Sequence, residues 1–352
     1  PLKDIFEPAI ALARKGVAIT EREEKQLVTN QDAIARVSGS SSYFAQNYIA
    51  GDTLKHEALA NTLERILANG SKEFYTGKTA EKIVAFLQSH GGIVTKEDLA
   101  AYGAKWRRPV TFTYRGFKVI SMSPPSSGGI TLAQILKMIE PYPVKKYQPN
   151  SVEAIQLIAE AERRAYADRS YFLGDPDFVK IPLKQLLDTK YLKSRMKNYV
   201  AGKATASSEV AHGNIDILES NETTHYSIVD AEGNAVAVTT TLNGAYGSKL
   251  YSDELGFFFN NEMDDFSSKP GVPNSYGLIG AEANAIAPGK RMLSSMTPTI
   301  VEKNGKLLMV LGTPGGSTII TSVLQTIINV CDYGMGMQQA VDMPRFHHQY
   351  IP

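Results

Sequence analysis

The spacing of apolar residues changes partway along this chain, and that change constrains the fold more than any single motif does. In the first hundred residues the apolar positions recur in steps of three and four. Ile5, Ala9 and Leu12 share a face over Asp4 to Lys15. Leu59, Leu63, Ile66 and Leu67 do so over Leu54 to Ala68, which closes at Asn69-Gly70, and Ile83, Phe86 and Leu87 over Thr79 to His90. Thr95-Lys96-Glu97-Asp98 has the form of a capping box that opens another helical turn. Only the polar stretch from Glu21 to Ser42 shows no steady period. From Val110 the period becomes two: Val110, Phe112 and Tyr114 alternate, Arg115-Gly116 turns, and the chain returns through Phe117 and Val119 to Met122, a β-hairpin.

Helices resume at Ile130 to Ile139 and, capped by Ser151, over Val152 to Asp168, where Ile155, Ile158, Ala159, Glu162 and Ala165 run down one side. A further helix is expected over Leu183 to Val200. The second half is dominated by strands. Thr224 to Val229 and Ala235 to Leu242 flank a short glycine-containing loop, Phe257 to Asn260 reads as a short buried strand, and Thr299 to Glu302 pairs with Lys306 to Leu311 across Asn304-Gly305. An apolar helix, Thr318 to Val330, follows Gly312-Thr313-Pro314-Gly315-Gly316-Ser317. One-sided helices beside hairpins bury their apolar faces against each other, which predicts a layered α+β sandwich.

Ala201 to Glu222 joins the two halves with Ala, Gly, Ser, Lys and Glu and no sustained apolar periodicity, too little to repay the entropy of ordering, so it is expected to move. The formal net charge of +1 gives no bulk attraction to nucleic acid or membrane, and no apolar run approaches the length of a membrane helix. A single cysteine, Cys331 in an apolar run, excludes an internal disulfide framework and a cysteine-based metal cluster and reads as a core thiol. The chain opens at Pro1 with neither Met nor a signal-like segment, and reads as a piece of a longer product.

Chemistry gathers where the linker meets the first strand of the second half. Thr223-Thr224 stands at the head of an alternation that puts His225, Ser227 and Val229 on one side and Tyr226, Ile228 and Asp230 on the other. A threonine hydroxyl needs a base beside it to act as a nucleophile, and at a chain start the residue's own α-amine serves. Inside an intact chain that requires scission of the Glu222–Thr223 bond. Other features leave alternatives open. The turn Ser126-Ser127-Gly128-Gly129 is either structural or an anion loop, although it lacks the lysine and spacing of a phosphate loop. Asp264-Asp265 reads as a solvated turn or half of a metal site, and Pro314-Gly315-Gly316 as a strand-to-helix turn. His347-His348 is unsuited to a metal, because adjacent histidines diverge and no carboxylate lies at ligand spacing.

Thr223-Thr224-His225-Tyr226-Ser227, Asn260 to Phe266, Leu293-Ser294-Ser295-Met296-Thr297-Pro298-Thr299, Gly312 to Ser317 and Pro344 to Gln349 together resemble the γ-glutamyltransferase (γ-glutamyltranspeptidase) family. Asp98 to Tyr102 and Ala165 to Arg169 match as well, so the resemblance spans nearly the whole chain. It implies an N-terminal-nucleophile hydrolase with a four-layer αββα sandwich. Residues 1–222 would be the C-terminal part of a large subunit and 223–352 an incomplete small subunit, intertwined in one domain and paired as a heterodimer after self-cleavage at Glu222–Thr223. By position, Thr223 is the nucleophile, Thr241 hydrogen-bonds to it, and Gly315 and Gly316 supply N–H groups to the oxyanion. Asn243, Glu262 and Asp265 take the substrate α-ammonium, and Ser294 and Ser295 its α-carboxylate. Lys269 to Met292 forms a lid with Tyr276 as its gate. No cofactor and no metal is implied.

The implied donors are glutathione and other γ-glutamyl compounds, and the acceptors are water, amino acids or peptides, in a periplasmic or secreted setting. Alternatives are a glutaryl (cephalosporin) acylase of the same architecture and a fragment that binds without catalysis. The chain departs from the family pattern in both ends, which look truncated, and in an upstream arginine that pairs the α-carboxylate in the family and has no counterpart here. Met292 stands where proline is usual, and Thr318 where arginine commonly follows Gly-Gly-Ser.

Overall fold

The computed structural model describes residues 1–210, 223–267 and 282–350, which form two compact units: residues 1–106 with 246–260, and the described residues of 107–245 and 261–352. Residues from both sides of position 222 contribute to each unit.

The first unit is mainly helical. Helix Leu2–Lys15 packs on Glu57–Asn69 around Ile10, Ala13 and Ala60, and Lys78–Ser89 follows. The polar stretch without a period is a helix, Glu21–Ser38. It buries only Leu27 and Ile34, seven residues apart, too thin a stripe to register as amphipathic. Its start is fixed instead by a capping box in which the Thr20 side chain accepts from Glu23 N–H while the Glu23 carboxylate takes Thr20 N–H. The box at Thr95 and Asp98 forms as expected. The strand expected over Phe257 to Asn260 is shorter and less buried: Phe257–Phe258 pairs with Tyr251–Ser252 and is only partly covered.

The second unit holds an antiparallel sheet of four strands in the order Lys306–Leu311, Thr299–Lys303, Phe117–Ser121 and Val110–Tyr114. Helices Gly128–Ile139, Val152–Phe172 and Thr318–Cys331 close over a core that includes Val119, Leu136, Leu157, Val301, Ile320 and Leu324. Cys331 is partly buried at its margin. A separate hairpin, Thr224–Val229 with Ala235–Thr240, touches strands Thr299–Lys303 and Lys306–Leu311. The helix expected over Leu183 to Val200 is broken into Leu183–Leu186 and Thr189–Arg195, because Asp188 accepts from the N–H groups of Lys190 and Tyr191 and caps a new start.

Helix Val152–Phe172 also buries charge. Glu160 pairs with Arg163 and Arg164, both almost inaccessible, and accepts Thr205 N–H at 2.9 Å. Arg163 donates to the Thr205 carbonyl and Ser207 Oγ, and Arg164 to the Arg195 carbonyl and Asn198 Oδ1. Residues 201–210 of the stretch expected to move thus carry hydrogen bonds to this helix, while 211–222 lie outside the described residues. Burial alone would raise the Glu160 pKa, but the bonds from Arg164 and Thr205 outweigh it and hold it low. Replacing Glu160 with alanine leaves two guanidiniums buried without their anion, and is expected to cost about 3–5 kcal/mol. The loss is read as a lower urea midpoint at unchanged slope.

Candidate functional site

The register of the Thr224–Val229 hairpin opposes Thr224 to Thr240, so the next pair outward is Thr223 and Thr241. Thr223 Oγ1 donates to Thr241 Oγ1 at 3.3 Å, and Thr241 Oγ1 also receives Asn243 N–H at 2.9 Å. Asn243 has φ 73 and donates its side-chain amide to the Asn261 carbonyl at 3.2 Å, while Gly244 N–H donates to Asn261 Oδ1 at 2.8 Å. These bonds tie the end of the hairpin to the 3-10 turn Glu262–Asp265.

Thr223, Thr241, Asn243, Asp265, Ser294, Ser295 and Gly316 line one cleft, together with Arg169 and Ser317. The structure therefore brings together most of the residues expected to act. Glu262 shares the turn of Asp265 without lining the cleft, and burial pushes its carboxyl up to about 7. Gly315 lies buried one residue behind Gly316, with φ 130. Glu222 and Tyr276 lie outside the described residues, as does most of the expected lid.

The Gly315-Gly316 turn is fixed from behind. Thr318 Oγ1 donates to the Gly315 carbonyl at 2.6 Å, and Tyr166 OH donates to the Ser317 carbonyl at 2.6 Å. The Ser317 hydroxyl meets His347 Nε2 and Gln349, and His347 Nδ1 meets Thr321 Oγ1. His347 is thus engaged in bracing this turn, while His348 N–H donates to the buried carboxyl of Glu162. Burial lowers the pKa of both histidines, His348 to about 4.

The serine loop is held from the other side by Ser126-Ser127-Gly128-Gly129, which is a structural turn opening helix Gly128–Ile139. Ser127 N–H and Ser127 Oγ both donate to the Ser294 carbonyl at 2.8 Å, and Ser126 Oγ donates to the Met296 carbonyl at 2.6 Å. A Cβ on Gly128 would stand 2.3 Å from Thr297 Oγ1, so only glycine permits this approach.

Arg169 was not singled out by sequence reasoning, although it falls inside a matching motif. Its signal was present: Ile158, Glu162, Ala165 and Arg169 follow the spacing of one helical face, so the arginine lies on the side that meets the core. It is 3% exposed.

The site sits on a mixed helix-and-sheet frame, with a hydroxyl pair at a hairpin mouth and a glycine turn that opens a helix. A cephalosporin acylase from Bacillus halodurans has the same fold, with a TM-score of 0.80 over 97% of this chain and 61% of that one at 24% identity. The chain belongs to the gamma-glutamyltranspeptidase family, whose model matches residues 1–352. It is 50% identical to the glutathione hydrolase proenzyme of Escherichia coli (strain K12) over 100% of this chain and 61% of that relative. The Helicobacter pylori gamma-glutamyltranspeptidase structure matches 60% of this chain and 61% of its own, at 40% identity and TM-score 0.57. The chain thus spans about three fifths of the length of the curated relative.

Proposed function

We propose that this chain carries the catalytic site of a γ-glutamyltransferase and glutathione hydrolase that cuts itself between Glu222 and Thr223. The observation that carries the reading is the Thr223–Thr241 hydroxyl pair in a cleft also lined by Ser294, Ser295, Arg169, Asn243 and Asp265. In scission, Thr223 Oγ attacks the Glu222 carbonyl carbon and the C–N bond breaks. The amide nitrogen becomes the Thr223 α-amine, and water hydrolyses the resulting ester.

In turnover that amine takes the Thr223 hydroxyl proton as Oγ attacks the γ-amide carbonyl of the donor. Gly315 and Gly316 N–H groups stabilise the oxyanion. The leaving amine departs with a proton, and the γ-glutamyl ester on Thr223 passes to water or to an acceptor amine. The reading includes Glu262 as a partner of the substrate ammonium, a lid gated at Tyr276, and subunits of 1–222 and 223–352 in a four-layer αββα sandwich. It also includes glutathione and related amides as donors, amino acids or peptides as acceptors, and an exported location. Among the described residues no helix is long and apolar enough to cross a membrane.

A glutaryl acylase is the second reading, since the fold is shared with a cephalosporin acylase. Asp265 and Asn243 in the cleft favour the first, because a γ-glutamyl donor brings an α-ammonium that needs acceptors and a glutaryl group has none. The test is to assay the full-length protein on L-γ-glutamyl and glutaryl anilides and to sequence its N-termini. Release from the first, with a new terminus reading Thr-Thr-His-Tyr, is expected. Release from the glutaryl anilide alone would replace this reading with the second.

Glu262 adds a pH dependence. Its carboxyl, raised by burial to about 7, is largely neutral at pH 6 and ionised at pH 8. A bound ammonium favours the ionised form, so KM for the γ-glutamyl anilide is expected to fall as pH rises through about 7. A glutaryl anilide, without the ammonium, should not show that limb, and Glu262→Gln should flatten it.

A further inference from the structure

The hydrogen-bond polarity of the serine loop is set from inside the protein by Arg169. A guanidinium only donates. Arg169 Nη2 donates to Ser295 Oγ at 2.9 Å and Nε donates to Ser127 Oγ at 2.8 Å, so both hydroxyl oxygens act as acceptors toward it. Ser127 spends its own proton on the Ser294 carbonyl. Ser295 lines the cleft, so its remaining O–H is left to donate there. Ser294 Oγ accepts Met296 N–H at 3.1 Å, which likewise keeps its O–H as the group it can offer. Each of these hydroxyls has one lone pair engaged by the protein and its O–H available to a ligand, and Ser295 carries a buried positive charge directly behind it.

We propose that Arg169 is the specificity-determining positioning residue at Ser295: it engages one lone pair of that hydroxyl, sets a buried positive charge behind it, and so favours a carboxylate there. A ligand ammonium at the same place would face the like charge of the guanidinium. The identity of the ligand as a γ-glutamyl group rests on the functional reading above. The polarity of the site does not.

The test compares Arg169→Gln and Arg169→Lys with wild type in the full-length protein, on L-γ-glutamyl-p-nitroanilide and on γ-aminobutyryl-p-nitroanilide, which lacks only the α-carboxylate. Loss of a charge-assisted bond is expected to raise KM for the first about 10–100-fold in Arg169→Gln, with kcat within a few-fold. Activity on the second should hardly change. Arg169→Lys keeps the charge but not the two-pronged grip on Ser127 and Ser295, and should fall between. Equal losses on both substrates would reduce Arg169 to scaffolding and overturn the proposal.

If Arg169→Gln does not fold, Arg169→Lys carries the decision: undiminished discrimination between the two anilides overturns the proposal. Calorimetry separates the proposal from the functional reading. L-glutamate should bind wild type more tightly than γ-aminobutyrate does, and the gap should close in the Arg169 variants. That pattern without anilide turnover would sink the functional reading and leave the Arg169 assignment standing. Turnover without a gap in wild type would do the reverse.

Discussion

Thr223→Ala in the full-length protein is expected to give a single uncut chain and to lower turnover of the γ-glutamyl anilide by at least about 10⁴-fold, the scale of losing a covalent nucleophile. Two losses would have one cause, since in the proposed mechanism the same hydroxyl opens the Glu222–Thr223 bond and later carries the acyl group. Thr223→Ser restores a hydroxyl at that place and should restore cutting, seen as two chains on a denaturing gel, with activity within about two orders of magnitude of wild type. Thr241→Ala should be milder. It removes a neutral partner 3.3 Å from Thr223 and leaves Asn243 N–H without its acceptor. A neutral hydrogen bond is worth about 1 kcal/mol, or roughly five- to tenfold in rate. An uncut Thr223→Ala chain with wild-type turnover would refute the assignment, and so would a Thr241→Ala loss as large as that of Thr223→Ala.

What the sequence made legible was local. The hairpin itself could be read from the alternation on either side of a short loop, whereas Thr241 as the partner of Thr223 rested on the family resemblance until the register opposed Thr224 to Thr240. The capping box at Thr95 could be read because its four residues stand together, and the hairpin across Asn304-Gly305 formed because Asn304 and Gly305 accept positive φ. What stayed hidden depended on contacts between distant segments. Helix Glu21–Ser38 has its cap but almost no apolar stripe, so periodicity alone missed it.

Arg169 looked like one more polar residue on a long helix. Its partners Ser127 and Ser295 lie 42 and 126 residues away. The turn at Ser126 to Gly129 was open between a structural and an anion-binding role for the same reason: its hydroxyls are committed to the Ser294 and Met296 carbonyls, which no local pattern reveals. In the family pattern an upstream arginine pairs the α-carboxylate, and no counterpart to it can be named in this chain. The structure puts a different arginine, Arg169 of helix Val152–Phe172, behind Ser295.

Gly315→Ala is expected to lower kcat about 10²–10³-fold with KM within about threefold, because it disturbs the turn proposed to present the oxyanion donors and leaves the other cleft-lining side chains in place. Two separate costs fall on the substitution. Gly315 has φ 130, a backbone conformation worth about 1–3 kcal/mol of strain for a residue with a side chain. The new Cβ would also stand 2.3 Å from Thr318 Oγ1. That threonine occupies the place where arginine is common in the family, and here its hydroxyl holds the Gly315 carbonyl at 2.6 Å. Thr318→Ala in the same chain removes the clashing atom but not the dihedral strain, and it gives up the hydrogen bond that fixes the turn. The double variant should therefore recover only part of kcat. Complete recovery would mean that crowding alone matters, and that the turn does not need glycine for its backbone. A Gly315→Ala protein with unchanged kcat would remove this turn from the acyl-transfer step.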